Sequence, residues 1–193
     1  GHELLLTGNN SGGSSTAKSC WLLSAPRAPR WHDGPQLPGS RCAHCAAHLG
    51  GVGVSVVCGG GTGARYLSST LLLKEGPNQK WTAGAEMNTV RAIAGGAAAD
   101  PAGHRMVVAG GSGPQHVAIA SCEIYDAAVD RWSPLEACLP RAMSCRVVPI
   151  SGGSAVLAAQ ADSYESVCCS LLDVRSRAAS WQPIARPQQP LRS

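Results

Sequence analysis

Apolar residues in this chain gather in short runs that close on small residues. The runs are Leu4-Leu5-Leu6-Thr7-Gly8-Asn9, Val56-Val57-Cys58-Gly59-Gly60, Val107-Val108-Ala109-Gly110-Gly111 and Val156-Leu157-Ala158-Ala159-Gln160. A second apolar run follows each: Cys20-Trp21-Leu22-Leu23, Thr70-Leu71-Leu72-Leu73, Cys122-Glu123-Ile124-Tyr125 and Cys169-Ser170-Leu171-Leu172. Runs this short, rich in aliphatic and β-branched residues and bounded by turn residues, predict strands, the first of each pair buried on both faces. The closing glycines Gly59, Gly60, Gly110 and Gly111 allow positive φ or a close approach of neighbouring chain. Small and apolar residues over Ala43 to Leu49, Ala92 to Ala97 and Ala142 to Val148 predict one further strand ahead of the first run.

The tryptophans fix the period. Trp31, Trp81, Trp132 and Trp181 are separated by 50, 51 and 49 residues, and Arg41, Arg91, Arg141 and Arg192 follow them by 10, 10, 9 and 11. Gly1-His2-Glu3-Leu4 lines up with Gly103-His104-Arg105-Met106. A period near 50 predicts a repeat of one small β unit, and such an array is a scaffold before it is a site.

The strongest unit runs from Gly110-Gly111 through Glu123-Ile124-Tyr125-Asp126 to Asp130-Arg131-Trp132. It resembles the Kelch repeat, whose pattern is a double glycine, a Glu-x-Tyr-Asp strand and a tryptophan. The first unit has Gly8-Asn9 and the fourth Ala159-Gln160 where that family has two glycines, and the first two units lack the Tyr-Asp pair. The resemblance implies an all-β chain, a Kelch-type β-propeller forming an open arc of about four four-stranded antiparallel blades. Its expected divisions are a partial blade over 1–36 lacking its inner strand, blades over 37–86, 87–136 and 137–185, and the start of another over 186–193. The expected arc is part of a larger ring, with a diverged four-blade ring as the alternative. Each tryptophan would fill the wedge between adjacent blades, burying roughly 150–250 Å². Tyr125 and the glycine pairs would serve the same packing.

Composition agrees with turn-rich β structure. Gly numbers 23 and Pro 13, and charged residues are only 15%. The net charge of +4 is spread over scattered arginines, which gives nucleic-acid binding little support. No apolar stretch reaches the roughly 20 residues of a membrane helix. Nine cysteines, an odd number, several at strand positions where another unit has alanine (Cys58 against Ala109), fit buried thiols in a reducing cytosol or nucleus. Cys42, His44, Cys45 and His48 contain metal-binding residue types, but in a strand 45 points away from 42, 44 and 48, so no metal or other cofactor is expected. Gly59 to Gly63 looks like a phosphate cradle, yet no Lys-Ser/Thr follows. Paired carboxylates and a Ser/His/Asp set are not evident either, so no enzyme activity is expected.

Surface loops remain. The blade-connecting loops would carry Arg41, Arg91, Arg141 and Arg192, and the loops between second and third strands Arg65 and Tyr66, Gln115 and His116, and Asp162 and Tyr164. Arg and Tyr are residue types that anchor interfaces. The segment from Glu86 to Arg91 is similar to the connecting loop of BTB–Kelch adaptors, where the matching arginine meets acidic residues of a substrate peptide. That resemblance implies partner contacts at Arg91 first, then Arg41 and Arg141, with Arg65, Tyr66, His116 and Tyr164 beside them. The alternative is that each arginine braces its loop against a neighbouring carbonyl. The expected function is a protein–protein interaction module, of the kind found in ubiquitin-ligase adaptors or cytoskeletal binders. The rival is a piece of a Kelch-propeller copper oxidase of the galactose or glyoxal type. Tyr66, Tyr125 and Tyr164 exist for that chemistry, but no histidine set accompanies them.

Overall fold

The computed structural model of the chain describes residues 4–7, 20–24, 30–63, 65–142, 144–163, 166–175 and 180–184. Among these residues the regular structure is strand, with two single turns of 3-10 helix and no α-helix. Every sheet is antiparallel, and its strands neighbour one another in chain order.

The first sheet holds β1 (Leu4–Thr7), β2 (Cys20–Ser24) and β3 (Arg30–Asp33). The second holds β4 (Cys45–Leu49), β5 (Val54–Cys58), β6 (Thr70–Lys74) and β7 (Trp81–Gly84). The third holds β8 (Gly95–Ala98), β9 (Arg105–Ala109), β10 (Cys122–Asp126) and β11 (Arg131–Leu135). The fourth holds β12 (Arg146–Ile150), β13 (Ala155–Ser163), β14 (Ser166–Asp173) and β15 (Gln182–Ile184). The first strands β4, β8 and β12 lie side by side, with β8 between the other two.

The apolar runs are buried on both faces because the sheets stack. Val54, Val56 and Cys58 of β5 pack against Met106 and Val108 of β9. The alternate residues of β9, Val107 and Ala109, pack the other way, against Val156 and Ala158 of β13. Adjacent residues of a strand point to opposite faces, so an unbroken apolar run is what a middle layer needs.

Two of the spaced tryptophans hydrogen-bond back to the segment that follows the preceding sheet. The Trp81 indole N–H donates to Pro35 O at 2.7 Å, and that of Trp132 donates to Ala85 O at 3.1 Å. Both acceptors stand four residues after the preceding tryptophan, Trp31 and Trp81. Trp81, Trp132 and Trp181 are buried. Trp31 departs from the expectation, with half of its surface (50%) in solvent. Among the described residues no sheet precedes β1 to receive its ring.

The fourth sheet corrects the repeat alignment by one residue. Pairing sets Trp132 opposite Tyr125 and Tyr125 opposite Met106, while Leu172 pairs with Val156. Val156 is therefore the counterpart of Met106 and not of Val107. A one-residue shift exchanges the two faces of a strand. No glycine pair ends this run, so β13 continues to Ser163, whereas β5 and β9 stop at Gly59 and Gly110. The segments 8–19 and 185–193, with Gly8, Asn9 and Arg192, lie outside the described residues, as does Tyr164.

Candidate functional site

The loops at the glycine ends of the second and third sheets form one continuous surface. Isolated bridges extend each sheet there, Cys42 to Gly61 to Tyr66 in one and Ala92 to Ser112 to Ala118 in the other. The segment between the sheets is tied to both. On the second sheet's side Met87 N donates to Ser68 O at 2.9 Å, Arg91 N to Leu67 O at 3.1 Å and Gly60 N to Arg91 O at 2.8 Å, and on the third's Ala92 N donates to Ser112 O at 2.9 Å. Gly60 (φ +87°) and Gly111 (φ +100°) make this approach possible. A Cβ on Gly111 would sit 2.6 Å from Ala92 O, and one on Gly60 would overlap Cys42 O.

Two of the four arginines expected as contacts, Arg41 and Arg91, lie beneath this surface. Arg41 and Arg91 are 5% and 1% exposed. Arg41 Nη1 donates to Gly59 O at 2.7 Å and Ser69 O at 2.9 Å, and its Nη2 donates to Ser69 Oγ at 2.7 Å. Arg91 repeats the pattern one sheet later, donating to Gly110 O at 2.9 Å, Ser121 O at 2.8 Å and Ser121 Oγ at 3.1 Å. These guanidiniums satisfy carbonyls that a turn would otherwise bury without partners. The expectation that Arg91 and Arg41 lead a partner-contacting set is therefore replaced by its alternative, bracing from below. Burial lowers the Arg41 pKa from its ordinary value. Arg141 differs from both, since it is exposed.

Glu123 has a role that sequence reasoning did not assign. Its carboxylate is buried and accepts from Arg91 Nη2 at 2.9 Å, Asn88 N at 2.7 Å, Asn88 Nδ2 at 2.8 Å and Thr89 N at 3.1 Å. It therefore holds the segment from Glu86 to Arg91 in one shape from within. The available signal was a carboxylate in the midst of an apolar run, which burial permits only with strong partners.

Above the braces, the structure joins two expected contact residues 50 positions apart. The Tyr66 hydroxyl and His116 Nδ1 share a 2.7 Å hydrogen bond, with the rings edge to face at 5.8 Å. Tyr66 is on the β5–β6 loop and His116 on the β9–β10 loop, so the pair spans adjacent sheets. Arg65 beside it is exposed, and Val117 is 61% exposed. Gln115 and His116 both hold positive φ, +58° and +61°. At the inner edge, Ile93 has φ +56° while 48% exposed, and its N–H donates to Ala43 O at 2.9 Å. Ala43, at the matching position of the previous unit, has φ +52°. Left-handed backbone is unusual at a β-branched residue and costs of order 1–3 kcal/mol.

The cysteine and histidine cluster disperses. Cys42 Sγ is 3.4 Å from Gly61 O, buried Cys45 Sγ is 3.2 Å from Ala94 O, and exposed His48 bonds Ser55 Oγ at 3.2 Å. His44 is held far below its usual pKa, at about 4, by burial and then by the nearby Arg41 charge. Burial pushes the Cys145 thiol up to about 11, and burial also raises Cys122. Cys58 is raised too, first by its hydrogen bond with Cys45 and then by burial. Such thiols are poor nucleophiles. Among the described residues no helix is long and apolar enough to cross a membrane. No protein-family model and no curated protein matches the chain.

Proposed function

We propose that the chain is an arc of a Kelch-type β-propeller whose loop surface recognises a protein partner through a segment bearing acidic residues. Support for the arc comes from sheets stacked in chain order, first strands set side by side, and a tryptophan of each of the second and third sheets bonded to the segment that follows the sheet before. The observation carrying the recognition reading is the Tyr66–His116 pair, in which His116 is exposed and Tyr66 half-buried. Two loops from different sheets, each stiffened from below by a buried arginine, present an aromatic edge between Arg65 and Val117. Rigid aromatic groups with an adjacent cation are the usual anchors of a protein interface, and a preorganised surface loses little entropy on binding. Arg65 and the exposed Arg141 favour a carboxylate-bearing segment, which would also be steered toward the surface by charge.

The test is selection of binding peptides from a displayed random library, followed by affinity measurement on variants. Tyr66→Ala and Arg65→Glu should each weaken the selected peptides by about tenfold or more. Selected binders indifferent to Tyr66, Arg65 and His116 alike would reject the reading.

A further inference from the structure

Cys45 and Cys58 stand directly opposite one another on β4 and β5. Their thiols share a hydrogen bond, and both lie in the core between the second and third sheets, 6% and 0% exposed. Opposed residues of an antiparallel pair have Cα atoms about 4.5–5.5 Å apart. A disulfide accepts about 4.4–6.8 Å, so the backbone already holds the two sulfurs where a bond can form. Among the described residues no other two cysteines are register partners. Cys42 faces Gly61, Cys122 faces Ala109 and Leu135, and Cys169 faces Ala159 and Ile184.

Packing alone does not ask for sulfur at this place. The matching pair is Gly95 with Ala109 in the third sheet and Arg146 with Ala159 in the fourth. Only the second sheet sets two thiols against each other there. Burial keeps a dissolved oxidant away from them while the sheet is closed. The same burial would keep a reductant from a bond once made. The oxidation state is therefore set while the sheet is open and kept after it closes.

We infer that Cys45 and Cys58 form a cross-strand disulfide when the chain folds in the presence of a small-molecule disulfide, and that the folded sheet then protects the bond from reductants. The step is thiol–disulfide exchange, with oxidised glutathione as the model oxidant. The thiolate of one cysteine attacks a glutathione sulfur, bonds to it and expels the other half as a thiolate. The thiolate of the second cysteine then attacks the protein sulfur of that mixed disulfide and expels the remaining glutathione. The two protein thiols give up two electrons to the oxidant, and their protons pass through solvent to the two released glutathiones. Without an oxidant both cysteines stay as the free thiols of this structure. The bond would sit beside Gly59, whose carbonyl accepts from Arg41 Nη1 at 2.7 Å, so oxidation staples the second sheet directly beneath the loop surface.

The test is refolding of the chain from urea with oxidised glutathione in excess, followed by acid quench, alkylation and mass spectrometry of the tryptic peptide 42–65. That peptide holds Cys42, Cys45 and Cys58. Fragmentation should place an alkyl group or glutathione on Cys42 alone, with the other two sulfurs joined. Cys58→Ala, which copies Ala109 of the third sheet, should leave Cys45 without a partner inside the chain. Dithiothreitol should open the bond at least about tenfold more slowly in the folded chain than in urea. Refolded wild type with Cys45 and Cys58 both alkylated, or left carrying glutathione, would overturn the inference. So would a bond that joins Cys42 instead, or one that the reductant opens equally fast in the folded and unfolded chain.

Discussion

The Glu123 carboxylate lies 2.9 Å from Nη2 of Arg91, and the two side chains are 2% and 0% exposed. The second sheet shows what this ion pair adds. Arg41 occupies the same place there with three hydrogen bonds to Gly59 and Ser69, and the position matching Glu123 is Leu71. A buried arginine can thus brace its own sheet on carbonyls and a hydroxyl. The carboxylate is needed for the segment from Glu86 to Arg91, whose Asn88 and Thr89 amides it receives. Glu123→Ala should cost about 3–5 kcal/mol in denaturant unfolding, because it leaves a buried cation short of its partner. Glu123→Leu, which copies the second sheet, should cost less. Both should speed amide exchange at Asn88 and Thr89, and unchanged exchange there would refute the carboxylate's hold on the segment.

Trp132 is the most fully engaged of the repeated indoles. Its ring lies 5.0 Å from Tyr125, and its N–H is shared between Thr70 Oγ1 and Ala85 O. Trp132→Ala removes both the packing between two sheets and the hydrogen bonds, and should cost about 3–5 kcal/mol. Thr70→Val keeps the shape and removes only the hydroxyl, and should cost about 1 kcal/mol. Equilibrium urea unfolding measures both, and equal costs would mean that the ring contributes no more than its N–H.

Cys122 occupies in the third sheet the place of Thr70 in the second, and the contrast is visible at Trp181. The Trp181 Nε1 is buried and makes no hydrogen bond with the described residues. Its neighbour at this point is the Cys122 thiol, a weak acceptor. Cys122→Thr would supply the hydroxyl that serves Trp132. The expected gain is about 1 kcal/mol, read as a raised urea midpoint with an unchanged slope.

The regular part of this architecture was open to sequence reasoning because each unit solves the same packing problem with the same residue. Tryptophan spacing located the sheets, and the two-faced apolar runs located their buried second strands. The irregular parts depend on what lies across space. Trp31 and Trp81 each follow a basic residue at the same period, yet one is half in solvent and the other buried, a difference that depends on what packs across space. The fourth register was misread by one residue because Ala159, Gln160 and Ala161 do not mark a strand end as a glycine pair does. A position ten residues after a tryptophan reads alike whether its arginine faces inward or outward. The partner that distinguishes Arg91, Glu123, is 32 residues further along and on another strand. Tyr66 and His116 were each legible as candidates, but their direct contact depends on the stacking of two sheets.

His44 supplies a pH dependence with a definite sign. Burial first, and the Arg41 charge second, hold its folded-state pKa at about 4. An unfolded histidine titrates near 6.5, so between these values the unfolded chain binds the proton and the folded chain does not. Stability from this group is complete above about pH 6.5, falls as pH drops toward 4, and changes no further below that. The loss amounts to about 3 kcal/mol at most, taking 1.36 kcal/mol for each pH unit between the two values. Carboxylates add their own acid dependence, among them exposed Asp173, which Arg175 holds down at about 2. Comparison with His44→Gln removes those shared contributions. Between pH 7 and 4 the wild type should lose more unfolding free energy than the variant, and the two curves should run parallel below pH 4. Parallel curves over the whole range would mean that His44 takes up its proton as readily in the folded chain as in the unfolded one.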